Sequence, residues 1–133
     1  MDIKREIKDL QARVALLEQQ LIDDSSYDWY NAPVITTIDG IEYRLGPESP
    51  NRLTWDDAIR WCESVGGELP SREVLLMCYV NETIEANFKP EYYWSSTKFS
   101  PTTVWSQYFD NGIQLYDNKL TAFYVRAVKR FSR

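Results

Sequence analysis

The stretch TWDDAIRWCESVGGELPSREVLLMCYV, residues 54–80, decides the fold because it predicts two successive helices. Thr54 stands where a helix N-cap is expected, and two aspartates follow in the first turn, where the helix dipole favours acidic side chains. A Gly-Gly pair at residues 66–67 is typical of a helix end. The apolar residues between these signals recur at helical spacing and are Trp55, Ala58, Ile59, Cys62 and Val65.

A second helix is predicted directly after the sequence ELP. Ser71 is placed to cap this helix, and Glu73 lies in its first turn. Its apolar face consists of Val74, Leu75, Met77 and Cys78. Because Cys62 and Cys78 both lie among apolar neighbours on these helices, we expect buried free thiols, although a disulfide between them stays open.

Before the helices, the sequence predicts a β-hairpin. VITTI (34–38) alternates and is rich in β-branched residues, Asp39-Gly40 is a hairpin turn signal, and IEYRL (41–45) supplies the second strand. GPESPNR (46–52) is predicted as a loop because of its two prolines. After the helices, NETIEANFKPE (81–91) is expected to form a loop or a short helical turn.

The C-terminal part predicts four more strands. These are YYWSST (92–97), TTVWSQYF (102–109), GIQLYD (112–117) and AFYVRAVKRF (122–131). Asp110-Asn111-Gly112 predicts a tight hairpin between the second and third of them, and 117–119 predicts the next loop. The expected fold class is therefore α+β, with two helices packed against one curled antiparallel sheet that ends in a meander.

Composition excludes several classes of function. The chain has 133 residues, 44% of them apolar, which suits one packed domain with an appendage. Its net charge of −5 argues against a nucleic-acid partner. The absence of histidine removes the commonest general base and metal ligand, and two cysteines cannot complete a zinc site. We therefore expect no cofactor and no metal ion.

The first 21 residues carry a narrow apolar seam with steps of four and three. Its members are Ile3, Ile7, Leu10, Val14, Leu17 and Leu21. This spacing is a heptad repeat, which predicts a coiled-coil helix about 30 Å long. The polar residues near 23–26 predict the end of this helix. The predicted division is 1–26 for an oligomerisation helix and linker, and 27–133 for a globular domain.

Two conflicting signals indicate the number of helices in this coiled coil. β-branched residues at the a positions with Leu at d favour a dimer. Arg13-Val14 followed by Leu17-Glu18 resembles the short trimerisation motif of parallel coiled coils, in which Arg13 pairs with Glu18 across the seam. We expect a parallel homotrimer, with a dimer as the second choice and a single helix folded back on its own domain as the third.

Four motifs in the globular part resemble the DUF1566 family. They are Trp55 on the first helix, Gly67-Glu68-Leu69-Pro70-Ser71 at the junction, Trp94-Ser95-Ser96, and the final Tyr124-Val125-Arg126-Ala127-Val128-Lys129. The resemblance covers roughly residues 50–130. That family includes many phage-encoded proteins and the C-terminal domain of a Legionella collagen-like adhesin, and the resemblance implies a C-type-lectin-like fold. The chain departs from the family at Gly67-Glu68, where Trp-Arg is usual.

The calcium-site motifs of sugar-binding C-type lectins are absent from the sequence, so the resemblance implies no calcium-dependent carbohydrate binding. Trp94-Ser95-Ser96 is interpreted as structural, because no histidine could activate a serine nucleophile. Trp94 is expected to fill the core and the hydroxyls to bond backbone groups at a strand bend. Arg126 is expected to pair with a carboxylate such as Glu73.

Candidate ligand-binding residues lie in and around the loop KFSPTT, residues 98–103. In C-type-lectin-like folds, which the resemblance implies, loops in this part of the chain lie on the ligand-facing side. Tyr and Trp side chains supply rigid contact area at low entropic cost, so they suit a recognition surface. The candidates are Tyr92, Lys98, Phe99, Thr102, Trp105, Tyr108, Tyr116 and Asn118.

These expectations favour a non-enzymatic, trimeric structural or adhesion protein of a phage virion, such as a tail fibre, tip or decoration protein. Its heads would bind a host-surface glycan or protein, or another virion protein, and would not insert into a membrane. The sequence near Met1 has no apolar run of the kind that forms a signal peptide. This absence suits a virion protein made in the host cytoplasm. The alternatives are a cytoplasmic phage or prophage protein that binds a host protein, and a glycan-processing enzyme with paired carboxylates.

Overall fold

The structure is a computed structural model and describes residues 27–132. The predicted coiled coil, with its seam residues and the Arg13–Glu18 motif, lies outside the described residues, so its oligomeric state stays a prediction. The described part is α+β, with two three-stranded antiparallel sheets and three α-helices. The predicted fold class is thereby confirmed at this level.

The elements follow one another in the order that the sequence predicts. A short 3-10 helix covers Trp29–Asn31 and precedes the first hairpin. The strands are β1 (Val34–Ile38), β2 (Ile41–Glu48), β3 (Tyr92–Lys98), β4 (Thr103–Tyr108), β5 (Gln114–Asn118) and β6 (Arg126–Ser132). The helices are α1 (Trp55–Ser64), α2 (Arg72–Val80) and α3 (Glu82–Glu85).

The strands form two sheets rather than one, and the predicted C-terminal meander of four strands is wrong. One sheet has the order β1-β2-β6 and the other has the order β3-β4-β5. Strand β6 pairs with β2 in the register Leu45↔Val128. In the segment before β6, Tyr124 forms an isolated parallel β-bridge with Tyr93 of β3. Alternating apolar residues mark β6 as a strand, but the pattern carries no information about which partner the strand takes.

Both predicted hairpins are present, with small changes in length. Asp39 and Gly40 have φ angles of 51° and 78°, as a tight two-residue turn requires. Gly112, with φ 81°, closes the connection between β4 and β5. Strand β2 continues through residues 46–48, which were predicted as loop, because a register shift after Leu45 accommodates the proline there. Strand β5 likewise continues through residue 118.

The two long helices begin and end close to the predicted signals. Ser71 caps α2 by accepting a hydrogen bond from the Val74 backbone N–H at 3.2 Å. Gly66, with φ 80°, ends α1 as expected. Thr54 occupies the N-cap position of α1, but its hydroxyl donates to the Asp57 carboxylate at 3.2 Å instead of accepting from the helix backbone. The Thr54 cap was therefore right in position and wrong in bonding.

The core consists of two clusters, one around Trp94 and one around Tyr93, and both side chains are fully buried. Cys62 and Cys78 lie in different clusters as buried free thiols, which confirms the first interpretation of the cysteines. Burial raises the pKa of the Cys62 thiol, and it raises the pKa of the Cys78 thiol to about 12. Both thiols are therefore protonated, and poor nucleophiles, at neutral pH.

Candidate functional site

Three aromatic side chains meet on one face of the β3-β4-β5 sheet, and we call Phe99, Trp105 and Tyr116 the aromatic surface. Trp105 of β4 lies directly opposite Tyr116 of β5 in the register of the two strands, so both side chains project from the same face. Phe99 follows the end of β3, and its backbone N–H bonds the Thr103 carbonyl at 3.0 Å. Strand pairing therefore brings together three candidates that the sequence alone could only group by proximity.

The rings of the aromatic surface are held in a defined geometry. Phe99 and Tyr116 stack face to face, with centroids 3.9 Å apart and planes within 11° of parallel. Both stand nearly perpendicular to the Trp105 indole, at centroid distances of 5.7 Å and 5.3 Å. Phe99 remains 53% exposed and Tyr116 49% exposed. The stacked pair is thus a rigid apolar feature on the surface of the domain, available to a flat apolar group on a partner.

Arg72, the first residue of α2, completes this region and was missed by sequence reasoning. Its guanidinium carbon lies 3.6 Å from the centroid of the Trp105 ring, in cation–π contact. Its Nε donates to the Gln114 side-chain oxygen at 2.9 Å, and Gln114 donates back to the Arg72 carbonyl at 2.7 Å. The sequence contained no signal for this contact, since Arg72 and Trp105 are brought together only when α2 packs on the sheet.

The polar candidates lie at two different places. Thr102 and Asn118 are exposed. They lie beside the aromatic surface, because Asn118 lies opposite Thr103 in the strand register. Their segments are joined by a hydrogen bond from the Lys119 backbone N–H to the Thr102 carbonyl at 3.0 Å. Lys98 instead points to the other face of the sheet, where its Nζ lies 5.5 Å from the Trp55 ring.

The two remaining candidates, Tyr92 and Tyr108, do not join the aromatic surface. They lie opposite each other on the other face of the sheet and stack at 4.3 Å. Tyr92 also stacks on Phe123 at 5.1 Å, and both tyrosines are half-buried. This second stack therefore packs the sheet against the segment that leads to β6.

The Trp94-Ser95-Ser96 motif is structural, as predicted. The buried Trp94 indole donates to the Leu53 carbonyl at 2.9 Å. The Ser95 hydroxyl donates to the Trp105 carbonyl at 2.6 Å and accepts from the Thr97 backbone N–H at 3.1 Å, where β3 has an irregular register. The polar groups of Trp94 and Ser95 are thus engaged by the backbone as expected, whereas the Ser96 side chain is exposed.

Arg126 pairs with a carboxylate as predicted, but the carboxylate is Glu48 and not the suggested Glu73. Arg126 lies opposite Glu48 in the β2–β6 register, and the two side chains approach to 3.9 Å. Arg126 also donates to the carbonyls of Gly46, at 2.9 Å, and Asn87, at 2.6 Å. Glu73 is exposed on α2. Because the partner of β6 was not predictable, the carboxylate that faces Arg126 was not predictable either.

A cleft of about 440 Å³ lies between α1, the segment after it and β6, apart from the aromatic surface. Its polar rim includes Glu63 and the ion pair of Glu68 with Arg130, whose closest atoms are 2.6 Å apart. Its walls are mostly apolar and include Tyr43, Trp55, Ile59, Leu69, Pro70 and Val128. Sequence reasoning did not find the cleft, because residues distant in sequence form it.

Two further properties concern residues 27–132 only. No three histidine, cysteine, aspartate or glutamate side chains gather there in a way that could hold a metal ion. No helix in the same range has the length and apolar character needed to cross a membrane.

In comparisons with known proteins, no protein-family model matches the chain and no curated protein matches it, so the function must be inferred from the surfaces described above.

Proposed function

We propose that this chain is a non-enzymatic binding protein that recognises its partner through the aromatic surface of a C-type-lectin-like domain. The observation that carries the proposal is the exposed, stacked pair of Phe99 and Tyr116 on the Trp105 indole. Exposed rings fixed in position lose little entropy on binding, and this is why aromatic residues dominate contact surfaces.

A glycan is the partner that the surface fits best. The apolar face of a sugar ring can pack on the outer face of either stacked ring. Exposed hydroxyl and amide groups at Thr102 and Asn118 border the rings and can exchange hydrogen bonds with sugar hydroxyls. A host-surface protein or another virion protein would use the same rings as apolar anchors, and a binding screen distinguishes these partners from a glycan.

In the same proposal, the chain is a structural or adhesion subunit of a phage virion, such as a tail fibre, tip or decoration protein. Three heads gathered by the N-terminal coiled coil would turn weak single contacts into avid attachment. The alternative is a cytoplasmic phage or prophage protein that binds a host protein. Mass spectrometry of purified particles separates the two, since only a virion protein copurifies with the particle.

The trimer predicts a specific solution mass. By light scattering, the full chain should have three times its own mass of 15.7 kDa, and a variant that begins at residue 27 should be a monomer. A mass of twice 15.7 kDa would favour the dimer. A full-length monomer would remove the physical basis of the multivalent attachment.

Loss of the stacked pair should abolish most binding. We expect the double variant Phe99→Ser/Tyr116→Ser to bind its best ligand on a glycan array at least about tenfold more weakly, because both ring contacts are removed. Tyr30→Ser is the matched control, since Tyr30 is 85% exposed and packs at the edge of the other sheet, near Phe131. Equal loss in both variants, or none in the double variant, would count against the aromatic surface as the binding site.

A further inference from the structure

Arg72 differs from every other arginine in the part of the chain that the structure describes. Five of the six arginines in residues 27–132 form an ion pair with a carboxylate, and Arg72 forms none. The five pairs are Arg44–Glu42, Arg52–Glu91, Arg60–Asp57, Arg126–Glu48 and Arg130–Glu68. Arginine keeps its positive charge at all physiological pH values. Arg72 is therefore a cation that has no carboxylate partner among residues 27–132.

The guanidinium of Arg72 is nevertheless fixed in place. Its Nε is bonded to Gln114, and its plane is supported by the Trp105 ring. No residue among 27–132 accepts a hydrogen bond from either of its Nη atoms. Of the five N–H donors of the guanidinium, four are therefore left for a partner.

The support for Arg72 extends into the core. The Gln114 side chain donates to the Gln107 side-chain oxygen at 2.7 Å, and Gln107 is fully buried. The backbone N–H of Arg72 is also bonded, to the Thr97 hydroxyl at 3.0 Å. A guanidinium held in this way has already lost much of its rotamer freedom, so a planar anion can bind it at reduced entropic cost.

The unpaired cation and the stacked rings share one neighbour. Arg72 Cζ lies 3.6 Å from the centroid of the Trp105 indole, and the Tyr116 centroid lies 5.3 Å from the same point. Both groups therefore contact the same indole, and a ligand that bridges them would place an anionic group on Arg72 and an apolar ring face on the stacked pair. Carboxylates match the guanidinium in a two-point geometry, with two parallel N–H···O hydrogen bonds.

We propose that the aromatic surface recognises an acidic sugar, with the sugar carboxylate bound by Arg72 Nη1 and Nη2 and the sugar ring packed on Phe99 or Tyr116. This inference rests on the proposed glycan-binding function and adds the class of glycan. The whole chain has a net charge of −5 and repels anions at long range. A preference for acidic over neutral sugars would therefore report the local site.

The test compares sugars that differ in charge at one ring. Methyl glucuronoside is titrated against methyl glucoside, and methyl galacturonoside against methyl galactoside. Binding to the full chain is followed by the NMR signal of the Trp105 indole N–H. Sodium acetate is titrated separately, to distinguish a carboxylate alone from a carboxylate on a sugar ring.

We expect the acidic member of at least one pair to bind about tenfold more tightly than its neutral partner, and more tightly than acetate. Arg72→Gln should reduce this ratio to about one, whatever its effect on the affinity for the neutral sugars. Arg72→Lys should keep part of the preference, because the charge remains and the two-point geometry is lost. Arg60→Gln is the matched control, since it removes the same charge from the exposed side of α1 and should keep the full ratio.

Three outcomes would overturn the inference, and they separate it from the proposed function. If the wild-type chain binds neutral and acidic members equally, the acidic-sugar assignment fails while glycan binding stands. If the preference survives in folded Arg72→Gln, another cation is responsible. If no sugar binds, both the acidic-sugar assignment and the proposed glycan binding fail. The acid-to-neutral ratio of the wild-type chain needs no variant, so the test holds even if Arg72→Gln is unstable.

Discussion

Trp94→Ala is expected to lower the free energy of unfolding by about 3–5 kcal/mol, the range found when a large aromatic side chain is removed from a core. Trp94 is fully buried, its ring packs 4.7 Å from that of Phe123, and its indole N–H bonds the Leu53 carbonyl. The substitution leaves a cavity in the first core cluster. It also removes one of the two hydrogen bonds that the Leu53 carbonyl accepts, while the bond from the Phe123 backbone N–H remains.

Urea denaturation followed by circular dichroism, at one fixed protein concentration, measures this change. Trp94→Phe keeps most of the ring volume and loses only the hydrogen bond and part of the contact, so its cost should be clearly smaller. Tyr30→Ala is the surface control and should change stability by no more than about 0.5 kcal/mol. A cost below about 1 kcal/mol for Trp94→Ala would mean that the side chain is not the centre of this core.

Gly46→Ala should cost about 3 kcal/mol, at the upper end of the range for overpacked sites. A Cβ at this position would lie 2.2 Å from Cη2 of the buried Trp29 ring and 2.8 Å from the Ala127 carbonyl oxygen. Trp29 cannot move away easily, because its indole donates to the Val65 carbonyl at 2.8 Å and its ring also faces Gly67. Both glycines therefore make room for one tryptophan.

A double-mutant cycle isolates this steric conflict. In a Trp29→Phe background the ring atoms that meet the new Cβ are absent and the Ala127 carbonyl oxygen remains. Gly46→Ala should therefore cost at least about 1 kcal/mol less there than in the wild-type chain. Gly40→Ala is the contrasting control, because a Cβ there meets nothing within 4 Å and only the φ of 78° opposes it. Equal costs for Gly46→Ala in both backgrounds would show that Trp29 is not the obstacle.

Several elements of the fold were predictable because their signals are local. The turn at Asp39-Gly40, the cap at Ser71 and the stop at Gly66 depend on residues within a few positions of one another. The apolar faces of α1 and α2 follow from helical spacing in the same way. The pairing of β6 with β2 was not predictable, because it joins segments about 85 residues apart and alternation looks the same for every partner.

The residues of the candidate site also differ in whether local signals in the sequence could identify them. The sequence identified Phe99, Trp105 and Tyr116 as candidate aromatic contact residues in and around one loop. The structure shows that they contact one another. Tyr92 and Tyr108 had the same local character, yet the parity of their strand positions places them on the other face of the sheet. Arg72 carried no local signal at all.

The sequence by itself determined the fold class, the positions of the helices and hairpins, the buried thiols and the structural role of Trp94, since each follows from local spacing, turn chemistry or residue type. Only the tertiary structure decided that the strands divide into two sheets, that Glu48 faces Arg126, and that Arg72 meets Trp105 without a carboxylate. The physical reason is that side-chain partners across a sheet or between a helix and a sheet are chosen by packing of the whole chain, which local patterns do not encode.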